Sequence, residues 1–264
     1  MTPDEFRDRY GPVALVTGAS SGIGWAFAEE LAERGFDLAL SARRTERLEQ
    51  LAAKLADAHG TQCRIVTADL TDSDAPAAIV EATKDLDIGL LVSNAGYNIK
   101  GPHETKEPSA MLKMMTVNCI APMLLAHGFI PRLKVRGKGG IIFTGSVEGF
   151  IGMPFSTVYS ASKALVRGLA EGLWGELHSE NIDVLNLAPG ATESEATAKL
   201  DPQWLPNLQP AREVAQRALD NITNGPSYIP SDHYRAQFDE LLSGPRREVL
   251  AGMAENLRNY AIPE

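Results

Sequence analysis

Apolar positions along this chain follow two rhythms. Short aliphatic runs at VALVT (13–17), FDLALS (36–41), CRIVTA (63–68), IGLLVS (88–93), GIIFTG (140–145) and IDVLNLA (182–188) have the character of buried strands, and SYI (227–229) is a shorter seventh. Between them apolar residues recur every three or four positions. This predicts helices over about 23–34, 45–58, 73–84, 109–134, 157–180 and 210–223, with more helical character from 232 onward. Alternating strand and helix patterns predict an α/β fold: a doubly wound, mostly parallel seven-stranded sheet with helices on both faces. No repeat, low-complexity tract or long linker divides residues 1–264, so they are expected to form a single domain. Sheets of this kind bind ligands beyond the carboxyl ends of their strands, so chemistry is expected in the residues that follow each strand.

After the first strand comes TGASSGIG (17–24). Glycine costs backbone entropy and adds no packing, so three of them at a strand–helix seam imply a tight turn or the close approach of another group. A nucleoside-triphosphate loop would need a lysine at its end, and nothing basic lies between Gly18 and Gly24. Two readings stay open on these residues alone. One is a plain turn; the other is a cradle in which Gly18, Ser20, Ser21, Gly22, Ile23 and Gly24 hold a dinucleotide pyrophosphate at a helix N-terminus. The end of the second strand bears on which dinucleotide. An acidic side chain there would accept hydrogen bonds from a ribose, but the chain has Ala42, Arg43 and Arg44, and a guanidinium binds the 2′-phosphate that a carboxylate would repel. NADP(H) is therefore expected over NAD(H). The alternative is that both arginines open a solvated helix.

Tyr159 and Lys163, in YSASK, lie one turn apart near the start of an apolar-striped helix, on one face. A cation favours the anionic form of a phenol. One charge at ~4 Å and an effective dielectric of ~20 contributes about 4 kcal/mol, enough to bring the tyrosine toward acid–base range. Ser146 follows the fifth strand, where its hydroxyl can stabilise charge growing on a carbonyl oxygen.

Together these segments resemble the short-chain dehydrogenase/reductase family in its compact single-domain form. TGASSGIG matches the family's TGxxxGxG and YSASK its YxxxK; SNAG (93–96) is similar to NNAG with a departure at Ser93; Ser146 stands thirteen residues before Tyr159. The likeness runs from about residue 12 to 230. It implies a Rossmann fold and a catalytic tetrad: Tyr159 as proton donor or acceptor, Lys163 on the nicotinamide ribose and lowering the tyrosine pKa, Ser146 polarising the carbonyl, and Asn118 positioning a relay water. It also assigns Asp69 and Leu70 to the adenine, Asn94, Ala95 and Gly96 to the central sheet and coenzyme pocket, and Pro189, Gly190 and Thr192 to the nicotinamide side. Each has a structural alternative: Asp69 as a helix cap, Pro189-Gly190 as a plain turn, Asn118 as a satisfied core amide.

Composition narrows the class further. With 25 basic and 34 acidic residues the net charge is −9, which argues against neutralising nucleic-acid phosphates. The segment MTPDEFRDRYG lacks the apolar core of a secretory signal. No stretch is expected to supply the ~18 apolar residues that cross a bilayer, so no membrane association and a cytoplasmic location are expected. Cys63 and Cys119 have no paired spacing and the five histidines are scattered, so no metal is expected.

The expected activity is an NADP(H)-dependent interconversion of a ketone and a secondary alcohol; the alternative is a non-catalytic NADP-binding regulator on the same scaffold. Substrate loops are expected at about 97–107, 147–155 and 191–210. They carry Tyr97, Phe150, Ile151, Met153, Phe155, Trp204 and Leu205, which suit a hydrophobic substrate and equally suit ordinary lid packing. Ser146, Tyr159 and Glu148 are the candidate substrate contacts. Glu148 either faces solvent or meets a polar group of the substrate. The resemblance further implies a homodimer or homotetramer through helices 109–134 and 157–180, where Met111, Met114, Met115, Leu124 and Leu125 give an apolar excess that burial against the sheet also explains.

Overall fold

The computed structural model describes residues 1–195, 197–199 and 207–258; Trp204 and Leu205 lie outside them. Its sheet has seven strands: β1 (Val13–Thr17), β2 (Asp37–Ala42), β3 (Cys63–Thr67), β4 (Ile88–Ser93), β5 (Gly139–Thr144), β6 (Ile182–Leu187) and β7 (Ser227–Tyr228). They lie in the order β3-β2-β1-β4-β5-β6-β7, and every pairing is parallel. The sequence pattern predicts the strands to within about a residue. β1 and β4 are buried along their whole length, as their continuous apolar runs require when both faces are covered.

The ten helices described are α1 (Pro3–Tyr10), α2 (Gly22–Glu33), α3 (Thr45–His59), α4 (Ala75–Ala82), α5 (Pro108–Met115), α6 (Ala121–Arg136), α7 (Thr157–Leu177), α8 (Ala211–Asp220), α9 (Asp232–Ser243) and α10 (Arg246–Arg258). One core holds Phe27 and Leu31 of α2, Leu48 and Leu51 of α3 and Val214 of α8. The other holds Leu125 and Phe129 of α6, Ile79 of α4 and Val166 of α7. Because β1 lies between β2 and β4, the winding reverses there, and a crevice opens beyond the carboxyl ends of β1 and β4.

Three features depart from the sequence pattern. The first is α1, which is too short for a periodic signal: Thr2 and Glu5 form a reciprocal capping box, and only Phe6 and Tyr10 are buried. The second lies in the region 109–134, which is two helices fused through a π turn at Thr116–Ile120, the segment that carries Asn118. The continuous run Pro108–Arg136 is long and apolar enough to span a membrane by length and composition, which corrects the expectation that no stretch is; 44% of its apolar window is buried inside the protein. The third is a separate apolar cluster. Phe238, Tyr234 and Leu241 of α9 and Val249, Leu250 and Met253 of α10 pack on Val147, Phe150, Ile151 and Met153.

Candidate active site

At the glycine seam each glycine has its own reason. Gly18 has φ +68°, and a Cβ there would stand 2.9 Å from the Ala95 Cα. At Gly24 a Cβ would collide with the Gly18 carbonyl oxygen and come 2.5 Å from Asn94 Nδ2, so α2 can press on the β1–β4 crossover only without a side chain. Gly22, with φ +56°, opens instead toward the segment after β6, where its Cβ would lie 3.5 Å from the Ser194 Cβ. The Ser21 side chain makes no capping bond and the first turn of α2 holds no acidic residue. Ala19 is buried, and Ser20, Ser21 and Ile23 line the turn. Amides at a helix start with no side-chain acceptor, over a glycine floor, fit a dinucleotide pyrophosphate.

Asn94 ties this seam to the sheet. Its backbone N–H, with that of Ala95, donates to Thr17 Oγ1 at 3.0 and 3.2 Å, while its Nδ2 donates to Thr17 O at 3.1 Å and its Oδ1 accepts from Thr144 Oγ1 at 3.1 Å. The ends of β1, β4 and β5 are thereby locked together. Arg43 is exposed. Arg44 donates to Ser20 O and Oγ, both at 3.2 Å, and pairs with Glu195 at 2.8 Å. Arg47 lies over the Trp25 ring at 4.9 Å from its centroid. Asp69 does not cap a helix: its Oδ1 accepts from Thr71 N and Oγ1 at 3.0 and 2.9 Å, and these bonds hold its pKa below the ordinary value, with Arg43 adding to the effect. Leu70 is buried beside it.

Ser146, Tyr159, Lys163 and Asn118 meet at the carboxyl ends of β4 and β5. Ser146 Oγ accepts from the Glu148 N–H at 3.2 Å, and its hydroxyl lies near enough to the Tyr159 phenol to pull that group's pKa down. Lys163 is 4% exposed; its Nζ donates to Thr144 O at 2.6 Å and sits 5.5 Å from the Tyr159 ring centroid. Asn118 Oδ1 accepts from Tyr97 N at 3.1 Å, while its Nδ2 donates to Tyr97 O at 2.9 Å and to Ser162 Oγ at 3.1 Å. Its amide hydrogens are thus both engaged. A Cβ on Gly96 would lie 3.1 Å from Asn118 Oδ1 and 3.3 Å from Lys163 Nζ, so Gly96 packs directly against both polar groups, which are themselves 1% and 4% exposed.

The electrostatics correct one expectation. The Tyr159 pKa is raised, chiefly by burial and next by the Glu148 charge, with the Ser146 hydrogen bond pulling the other way. Lys163 lies over the ring face, and burial brings its own pKa down from 10.5 to about 8. Glu148 does not face solvent: its Oε2 accepts from Ser160 Oγ at 3.3 Å, and burial raises its pKa against the bonds from Ser156 and Ser160 and the charges of Lys100 and Lys163.

On the turn after β6, Pro189 O accepts from Val147 N at 3.1 Å and Thr192 Oγ1 donates to Gly190 O at 3.1 Å. Gly190 lies so close beneath the Tyr234 ring that any side chain there would enter it. The loops 97–107 and 147–155 are joined where Gly101 N donates to Phe155 O at 2.8 Å, with Phe155 held at φ +61°. Sequence reasoning passes over Thr17, Thr144, Ser160, Ser162 and Tyr234. The hydroxyls closing β1 and β5 are the signal that could have pointed to Thr17 and Thr144. Tyr234 has none, since α9 reaches the site only through the fold.

The chain belongs to the short chain dehydrogenase family, whose model matches residues 12–204. It is 34% identical over 247 residues to a 7beta-hydroxysteroid dehydrogenase of Clostridium sardiniense, spanning 94% of this chain and 88% of that protein. Two solved structures are similar. One is a short-chain dehydrogenase from Sphingobium yanoikuyae in complex with NADPH, with 36% identity, a TM-score of 0.80 and coverage of 91% of this chain and 96% of that one. The other is the bulky-bulky ketone specific alcohol dehydrogenase from Comamonas testosteroni, with 33% identity, a TM-score of 0.77 and coverage of 92% and 94%. The protein is accordingly an oxidoreductase of CH–OH and C=O groups that uses a nicotinamide coenzyme.

Proposed function

We propose that the protein reduces a bulky hydrophobic ketone with NADPH, and in reverse oxidises the secondary alcohol. The observation that carries this reading is the Ser146–Tyr159–Lys163 cluster, which lies beside the bare Gly96 at the carboxyl ends of the strands. In this reading Tyr159 gives its proton to the carbonyl oxygen and Ser146 stabilises the charge that develops on it. Lys163 holds the ribose side and Asn118 positions a relay water. The coenzyme supplies the hydride, and the chain supplies orientation and the proton. The phenol is protonated at neutral pH, the state from which its proton can pass to a carbonyl oxygen.

Phe150 and Met153, half-buried in the loop that follows Ser146, are apolar side chains a large substrate could meet, in keeping with the steroid and bulky-ketone names of the relatives. Arg44, anchored on Ser20 at the seam, favours a 2′-phosphate, and Arg43 stands beside it. The same reading includes a cytoplasmic enzyme that forms a homodimer or homotetramer through the exposed Leu112, Met123, Leu124 and Leu165 of α5, α6 and α7.

The test is NADPH consumption against steroid, aryl and acyl-chain ketones. Tyr159→Phe should lower kcat by at least ~10²-fold while NADPH affinity holds. Undiminished turnover in that variant would remove the assigned proton donor.

A further inference from the structure

The segment that follows β6 and Thr192 lies across the glycine seam. Ser194 stands over Gly22, and Glu195 reaches to the end of β2. There its Oε2 pairs with Arg44 Nη1 at 2.8 Å and its Oε1 lies 3.8 Å from Arg47 Nη2. Arg44 uses its other nitrogens on Ser20, at 3.2 Å to both O and Oγ. One guanidinium thus bridges the cradle turn and a carboxylate of the candidate substrate loop. All three charged side chains are about half exposed: 43% for Arg44, 42% for Arg47 and 52% for Glu195.

We propose that Glu195 is a specificity-determining residue for the coenzyme: its carboxylate sits on Arg44 in place of a 2′-phosphate, and the two anions exclude one another. The inference rests on the NADP(H) reading above. A carboxylate and a phosphate seek the same planar fork of donors, and they repel each other when both are near it. The Arg44–Glu195 pair is solvent-exposed and therefore weak, so a dianionic phosphate displaces it. A coenzyme lacking that phosphate leaves it in place. Glu195 therefore lowers affinity for 2′-phosphorylated nucleotides without touching the others. Displacing it also frees residues 193–195 from Arg44, which links the coenzyme's 2′ position to the loop on the nicotinamide side.

Binding of 2′,5′-ADP and of ADP to the purified full chain, followed by titration calorimetry, tests this without any turnover. Glu195→Gln keeps size and hydrogen-bonding capacity but removes the charge. It should tighten 2′,5′-ADP by roughly 2- to 5-fold, the upper part of the range of an exposed ion pair, and leave ADP unchanged. In an Arg44→Ala background the Glu195→Gln effect on 2′,5′-ADP should vanish. If Arg44→Ala weakens 2′,5′-ADP selectively but Glu195→Gln changes nothing, or changes both nucleotides equally, the competition is wrong and the NADP(H) reading survives. If neither Arg44→Ala nor Arg43→Ala weakens 2′,5′-ADP more than ADP, that reading and this inference fall together.

Discussion

Lys163→Met should make the protein more stable at neutral pH while destroying its activity. The Lys163 ammonium is 4% exposed, and burial lowers its pKa from 10.5 to about 8. That difference, at ~1.4 kcal/mol per unit, means the charged form costs the fold about 3 kcal/mol. Below pH 8 both the folded and the unfolded chain hold the proton, so the cost is fully present. Between pH 8 and 10.5 the unfolded chain binds a proton that the folded one has lost, so stability rises with pH, and above 10.5 the cost is gone. Methionine avoids the charge but forfeits the 2.6 Å hydrogen bond to Thr144 O, a loss of about 1 kcal/mol. The expected balance is a gain of about 2 kcal/mol at pH 7 that shrinks with rising pH and becomes a loss of about 1 kcal/mol above pH 10.5. Urea unfolding of both proteins across this range measures it by linear extrapolation. Cys63, whose thiol burial pushes up to about 11, titrates in both proteins and cancels in the difference; Cys119, pushed up likewise but pulled down in part by Lys163, adds a smaller difference of its own near pH 11. A variant less stable at pH 7, with a deficit that does not vary with pH, would show that the ammonium is well solvated or well paired in the fold and would refute the reasoning.

Two further outcomes follow from the site geometry. Glu148→Gln removes the negative charge that raises the Tyr159 pKa, so the alkaline limb of the pH–rate profile should move to lower pH; an unmoved limb would mean that the two groups do not interact. Gly24→Ala should abolish detectable NADPH binding in a folded protein, because its Cβ would collide with the Gly18 carbonyl and come 2.5 Å from Asn94 Nδ2, and wild-type affinity in a fluorescence titration would contradict the packing described.

What the sequence discloses and what it withholds divide along one physical line. Features set by local sterics or by periodicity are legible. The parallel strands follow from the alternating patterns, Gly18 from its left-handed backbone, and the Tyr159–Lys163 pair from helical spacing. Features made by segments far apart in the chain are not. Tyr234 over Gly190 joins residues 44 positions apart, and Glu195 on Arg44 joins residues 151 apart. The π turn around Asn118 leaves no pattern either, since one wide turn barely disturbs an apolar helical stripe. The eight-residue α1 has only two buried side chains and is decided by a cap that contributes about 1 kcal/mol, well below what a hydrophobic pattern reveals.

The phenol shows why this line matters for chemistry. A tyrosine and a lysine one turn apart argue for an acidic phenol if only their helix is considered, because helical spacing puts the charge near the ring. The fold changes the sum in two ways. It buries both groups, which penalises the phenolate and the ammonium alike, and it brings Glu148 from the segment after β5 to within electrostatic reach of the hydroxyl. Lys163 Nζ meanwhile donates to Thr144 O and lies over the ring, 5.5 Å from its centroid, with no hydrogen bond to the hydroxyl. The resting protein therefore holds a protonated tyrosine, which is the state a reductase needs before it meets a ketone, and oxidation of an alcohol would first have to remove that proton. In that sum burial counts first and the carboxylate two residues beyond Ser146 second, and neither is visible in YSASK alone.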